Sequence, residues 1–189
     1  MSRRREAPLD DGLFTSIGRI VVLGAVTLAG VMALLAQMAP LGLAPRSWPA
    51  PDLFYCVLAY AALARPDALP VMANFALALL GDLVTGGPVG AGALALFLTI
   101  EALKRHTALA YTRSRWRDWV GVAIGAAAVM LAPWLMMRLT FAGGPPLIDL
   151  ASRWVFTVIA FVPVGAAMRY GLRIRRPALR DMGPLWGER

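Results

Sequence analysis

Few residues in this chain can do chemistry, and their positions decide what chemistry is open to them. Asp82, Glu101, Asn74 and His106 lie in or beside long apolar runs. A polar group at membrane depth is costly, so each is a functional candidate by default. Asp82 stands near one end of its run, in Leu80-Gly81-Asp82-Leu83, and Glu101 near the opposite membrane face in the next run. Carboxylates at opposite faces cannot work as an acid/base pair on one substrate. Glu101 precedes Lys104 and Arg105 by three and four residues, the spacing of an ion pair on a helix surface. Asp82 shares its expected depth with Arg138 and Arg153. A structural ion pair fastening helices is the first expectation for it, and partner contact or transport the second. Asn74, in mid-run, is expected to bond a neighbouring helix before a ligand. Gln37, near the outer interface, carries little signal. His106 is the only histidine and stands among basic residues. With no His or Cys beside it, it reads as a solvated side chain and not a metal ligand.

No catalytic motif is present. The chain has no phosphate-binding glycine loop of the Walker type, no Gly-x-Ser-x-Gly, no His-Glu-x-x-His and no aspartate cluster for a phosphate-bound metal. Serines occur at Ser2, Ser16, Ser47, Ser114 and Ser152, none deep in an apolar run beside a base. Cys56 is the sole cysteine, which excludes an intramolecular disulfide or a cysteine-based redox pair; in its apolar run it reads as an inert packed thiol. The residues imply no cofactor, no metal and no enzyme.

The elements that must position these residues follow from the apolar pattern. Of 189 residues, 59% are hydrophobic and 16% charged. The apolar residues collect in blocks of about 15–22 residues with charges between them, which match a hydrocarbon core of roughly 30 Å. Six spans are predicted, at 17–38, 53–64, 68–84, 88–103, 119–139 and 150–170. The second is short: a helix of that length reaches only about 18 Å. It requires extension, local thinning of the bilayer, or a re-entrant hairpin with the third. The first run is too long for a signal-peptide core and reads as a retained helix. The predicted fold class is an all-α polytopic transmembrane helical bundle, one domain over 1–189, with a cytoplasmic N-terminal segment, 1–16, and a basic cytoplasmic tail, 171–189.

The net charge of +8 flanks the apolar runs, which reads as membrane orientation and attraction to anionic lipid, with no nucleic acid partner. With the N-terminus and its Arg3, Arg4 and Arg5 in the cytoplasm, Arg65 and the basic loop with Lys104, Arg105, Arg113, Arg115 and Arg117 are also cytoplasmic. So is the tail with Arg173, Arg175, Arg176, Arg180 and Arg189. Among the outward loops only the first holds a cation, Arg46. Removing one span would place a basic loop or the basic tail outside, so the count of six and both termini in the cytoplasm support each other. Gly121-x-x-x-Gly125, and Ala25, Ala29 and Ala33, are spaced for close helix packing, first of all inside the bundle. Pro133 and Pro163 are expected to bend their spans.

One stretch is more specific. It runs Trp48-Pro49-Ala50-Pro51-Asp52-Leu53, then Ala64-Arg65-Pro66-Asp67, Leu79-Leu80-Gly81-Asp82-Leu83 and Gly86-Gly87-Pro88-Val89-Gly90. Pro51-Asp52 is a helix-start signal, Pro66-Asp67 breaks the chain, and Gly86-Gly87-Pro88 makes a tight turn. In order and spacing these motifs resemble the bacterial rod-shape-determining MreD family, over about residues 46–95. The chain departs from that pattern at Ala78 and at Ala91-Gly92, where the family often carries other residues. The resemblance implies a non-enzymatic, multi-pass subunit of the bacterial inner (cytoplasmic) membrane. It implies binding to an MreC-like bitopic protein and, through it, links to MreB filaments, RodA and its penicillin-binding transpeptidase in peptidoglycan synthesis and cell shape. The motif residues it implies for partner binding or structure are Pro51, Asp52, Arg65, Pro66, Asp67, Asp82, Gly87, Pro88 and Gly90, with the second and third spans as the expected partner surface. The family's fold is similar to the substrate-binding subunits of energy-coupling-factor transporters. A small-molecule binding or transport subunit is therefore the alternative, and it requires several polar groups converging on one cavity.

Overall fold

The structure, a computed structural model, describes residues 9–38, 50–86, 90–109, 115–141 and 143–171. Its elements are α1 (Leu9–Met38), α2 (Leu53–Ala64), a 3₁₀ turn (Pro66–Ala68), α3 (Val71–Thr85), α4 (Ala91–Leu109), α5 (Arg115–Leu139) and α6 (Leu147–Tyr170). No strand occurs among the described residues. The six helices coincide with the six predicted runs, with ends shifted by a few residues and α1 beginning well before its apolar stretch. Gly18–Met38 of α1, Trp116–Leu139 of α5 and all of α6 are long and apolar enough to cross a membrane. Arg3, Arg4, Arg5, Arg46, Arg113, the Gly87-Pro88 turn and the basic tail lie outside the described residues.

The short second helix is the centre of the bundle. Every residue from Phe54 to Ala64 is buried, with α1, α4, α5 and α6 packed around it. A helix of about 18 Å that is enclosed by other helices has no hydrocarbon thickness to match. Hydropathy treats an apolar run as lipid-facing and cannot see that other helices fill that role here.

Glycines on the surrounding helices make room for the rings of α2. A Cβ at Gly81 of α3 would lie 2.6 Å from Phe54, and one at Gly30 of α1 would lie 3.1 Å from the opposite edge of the same ring. At Gly125 of α5 it would lie 2.5 Å from the Tyr55 hydroxyl and 2.5 Å from Thr99 of α4. At Gly165 of α6 it would lie 3.1 Å from Tyr60. Removing a side chain lets a neighbouring helix approach closely, and van der Waals packing rewards the approach. The Gly121-x-x-x-Gly125 face accordingly turns inward, where a Cβ at Gly121 would lie 3.3 Å from Leu103. The Tyr55 hydroxyl donates to Val122 O at 2.7 Å, joining α2 to α5. Pro133 and Pro163 lie inside continuous helices.

The first end of α2 is capped from two elements. Asp52 is its N-cap, with Oδ1 accepting from Tyr55 N–H at 3.0 Å, one of the strongest cap choices. With its amide turned to suit the donors around it, Gln37 of α1 accepts from Leu53 N–H at 2.7 Å and Phe54 N–H at 3.1 Å. The Asp52 N–H donates to Thr157 Oγ1 of α6 at 2.9 Å. These bonds satisfy donors that a helix start leaves open. At the end of α3, Gly86 adopts φ 68° as a left-handed C-cap, and Gly90 adopts φ 97° just before α4. Both conformations favour glycine.

Candidate functional site

A cavity of about 250 Å³ opens at the Asp52 end of the bundle. The C-terminal parts of α1, α3 and α5 bring Gln37, Asp82 with Thr85, and Trp134 to it. The N-terminal parts of α2, α4 and α6 bring Asp52, Gly92 and Arg153. Successive helices therefore run in opposite directions. Leu34, Phe54, Leu96, Met130 and Leu150 supply apolar wall. The cavity shares Leu34, Gln37, Thr85, Pro145, Leu150 and Arg153 with a wider vestibule of about 510 Å³, whose lining includes Ala50 and Asp149.

Asp82 is 8% exposed. Its Oδ2 accepts from the Gly90 N–H, so the carboxylate ties the end of α3 to the start of α4. The bare Cα of Gly92 leaves room for the other oxygen, which a Cβ there would strike. The expected pairing of Asp82 with Arg138 or Arg153 is not what forms. Arg138 lies over the Trp134 ring, 5.2 Å from its centroid. Arg153 faces Asp52, with Nη2 4.0 Å from Oδ2. The turn bonds one oxygen of Asp82 from within its own hairpin, and Arg153, in the second turn of α6, stands beside the α2 cap. The Arg153 side chain is 44% exposed, yet its Nε is buried without a hydrogen-bond partner.

The motif residues fall into two groups. Pro51, Asp52, Asp82 and Gly90 come together at the cavity end of the bundle, with Asp52 and Asp82 lining the cavity itself. Arg65, Pro66 and Asp67 form the turn at the far end of α2, where Arg65 and Asp67 are exposed. Gly87 and Pro88 lie outside the described residues. The expected partner surface on the second and third spans needs correction. Because α2 is enclosed, it presents no face, and of the two only α3 does. Met72, Phe75, Leu79 and Leu83 form an exposed stripe along it, at the three- and four-residue spacing that lines one helix side.

A second polar cluster joins α3 to α4 at the opposite end. Asn74 is fully buried, and its Nδ2 donates to Glu101 Oε1 at 2.9 Å and Phe97 O at 3.4 Å. Lys104 Nζ donates to the same Glu101 oxygen at 2.6 Å and to Leu69 O at 2.8 Å. The predicted Glu101–Lys104 pair forms, but it is not a surface pair: the two side chains are 16% and 12% exposed. Asn74 bonds a neighbouring helix as its mid-run position led us to expect. His106 is exposed, and no cluster of metal-ligating side chains occurs among the described residues.

Sequence reasoning missed Gln37, Thr157 and Trp134. Gln37 was legible only as an amide near an interface, and its bonds to the start of α2 depend on how α1 packs. Thr157 bonds back to Arg153 O at 2.8 Å within α6, an ordinary role that hides its second one at Asp52. Trp134 donates to Pro145 O at 3.1 Å, closing the α5–α6 connection over the cavity. No family model, no curated protein and no solved structure matches the chain.

Proposed function

We propose that this chain is a non-enzymatic, MreD-like subunit of the bacterial inner membrane. It crosses the bilayer six times with both termini in the cytoplasm, holds a bitopic MreC-like partner at lipid depth, and helps organise peptidoglycan synthesis and cell shape. The observation that carries this reading is the convergence of Pro51, Asp52, Asp82 and Gly90, which bear the sequence resemblance, on one end of the bundle. Asp52 and Asp82, from separate motifs, line one cavity there. The alternating helix directions support six crossings. The positive-inside bias supports the orientation: Arg65, Lys104, Arg105, Arg117 and Arg169 lie toward one end, and Arg138 and Arg153 toward the other.

The proposed partner surface is the exposed apolar stripe of α3, because α2, the other span expected to meet the partner, is enclosed. The test is co-purification. Solubilised gently, the chain is expected to retain the MreC homologue encoded in the same genome. Recovery of the chain alone, while a known membrane complex stays assembled in the same detergent, overturns the reading. The polar cavity favours a second reading, a small-molecule binding or transport subunit. Two carboxylates, a guanidinium, an amide and a hydroxyl converge on one apolar-walled space, the general form of a ligand site.

A further inference from the structure

The cavity at the Asp52 end is lined by two carboxylates, Asp52 and Asp82, and one guanidinium, Arg153, and none of the three is fully bonded. One oxygen of the buried Asp82 carboxylate accepts from Gly90 N–H. The other, Oδ1, carries no hydrogen bond among the described residues and sits against Gly92, in the space a side chain there would fill. Arg153 has an unpartnered Nε and approaches Asp52 only to 4.0 Å, beyond hydrogen-bond length. Asp52 already spends one oxygen on the α2 cap. Polar groups left unbonded inside a protein call for a partner.

We propose that this cavity binds a small zwitterion carrying a primary ammonium and a phosphate, the chemistry of a phosphoethanolamine group. The ammonium donates to Asp82, and the phosphate accepts from Arg153, whose guanidinium suits a phosphate. With two carboxylates against one guanidinium, the site disfavours a ligand that is only anionic. A quaternary ammonium lacks the N–H donors that Asp82 needs. In the proposed orientation the cavity lies at the outer interface, and its vestibule carries apolar Leu34, Met38, Val84 and Leu150. An acyl-bearing lipid and a free zwitterion both satisfy this chemistry. The inference rests on the second reading above, that the cavity is a binding site.

The test uses the full chain in mild detergent, with thermal stability followed against added short-chain phosphatidylethanolamine, phosphatidylcholine, phosphatidylglycerol or free phosphoethanolamine. Phosphatidylethanolamine is expected to stabilise saturably, at concentrations about tenfold or more below those of the other two lipids, the worth of a charge-assisted hydrogen bond. Free phosphoethanolamine acting equally well identifies a soluble ligand; its inactivity identifies the lipid. Asp82→Asn should raise the required concentration about tenfold or more. Should that variant fail to fold, Arg153→Gln, at a half-exposed position, should weaken the response in the same way. Equal stabilisation by all three lipids, or unchanged binding in the variants that fold, overturns the proposal. Native mass spectrometry of the purified chain separates the two levels. A different retained small molecule ends the zwitterion assignment and leaves a binding site. No retained molecule and no response to any probe ends both.

Discussion

The wedge of Phe54 between α1 and α3 gives a sharp quantitative expectation. In Gly81→Ala the new Cβ falls 2.6 Å from Phe54 Cε1 and 3.2 Å from Cδ1. Carbon atoms pack best at about 3.5–4.0 Å, so the overlap approaches 1 Å. The ring's other edge faces Gly30 of α1, whose vacant Cβ position lies 3.1 Å away, so a retreat runs toward the α1 backbone. Overpacking of this kind costs about 1–3 kcal/mol. Alanine recovers up to about 1 kcal/mol of helix propensity over glycine. The net loss is therefore about 0–2 kcal/mol, and the loss relative to an unobstructed glycine-to-alanine exchange is about 1–3 kcal/mol. Gly24→Ala supplies the control: it is the same exchange in a helix, with nothing within 4 Å of the new atom. It should be neutral or stabilising. Unfolding in mixed micelles with a denaturing detergent, followed by tryptophan fluorescence, reads both. In a Phe54→Ala background the penalty at Gly81 should vanish, a coupling that a double-mutant cycle isolates. Equal effects of Gly81→Ala and Gly24→Ala, or a Gly81 penalty that persists without the ring, would refute the wedge.

Two further expectations follow from the same packing. Asn74→Leu removes the donor that α3 offers Glu101 and should cost about 1–2 kcal/mol, the scale of an interhelical hydrogen bond in a membrane; the same unfolding titration reads it, and no loss would mean Lys104 alone satisfies Glu101. Because Cys56 is fully buried, single cysteines in a Cys56→Ala background report topology. Cysteines at Thr85 and Thr140 should react with a membrane-impermeant thiol reagent from outside the inner membrane, and those at Asp67 and His106 only after lysis; the reverse pattern would invert the proposed orientation.

The six helices were legible because each apolar run is bounded by charge, proline or glycine. Asp52 was legible as a cap because a cap acts within a few residues of its own chain. What escaped was the part set by packing between distant segments. The second span reads as a marginal crossing because composition reports how apolar a helix is and not what surrounds it. The pairing of Gly81 and Gly30 with Phe54, and of Gly125 with Tyr55, joins residues on different helices, so the sequence shows a glycine without its ring. Asp82 reads as seeking a cation because charge is visible in sequence, whereas the Gly90 N–H that it meets exists only once the turn forms. The Glu101–Lys104 spacing was readable, but its burial depends on Asn74 from the neighbouring helix. The cavity itself draws on all six helices, and no local motif encodes it.

In the proposed function the bitopic partner docks on the exposed face of α3. The most direct measurement places a photo-crosslinking amino acid at Leu79 of α3 and, separately, at Ile124 of α5, both exposed, in cells that make the MreC homologue. A crosslink to that bitopic partner is expected from Leu79 and none from Ile124. A crosslink from Ile124 alone, or from neither position while the two proteins co-purify, would contradict it.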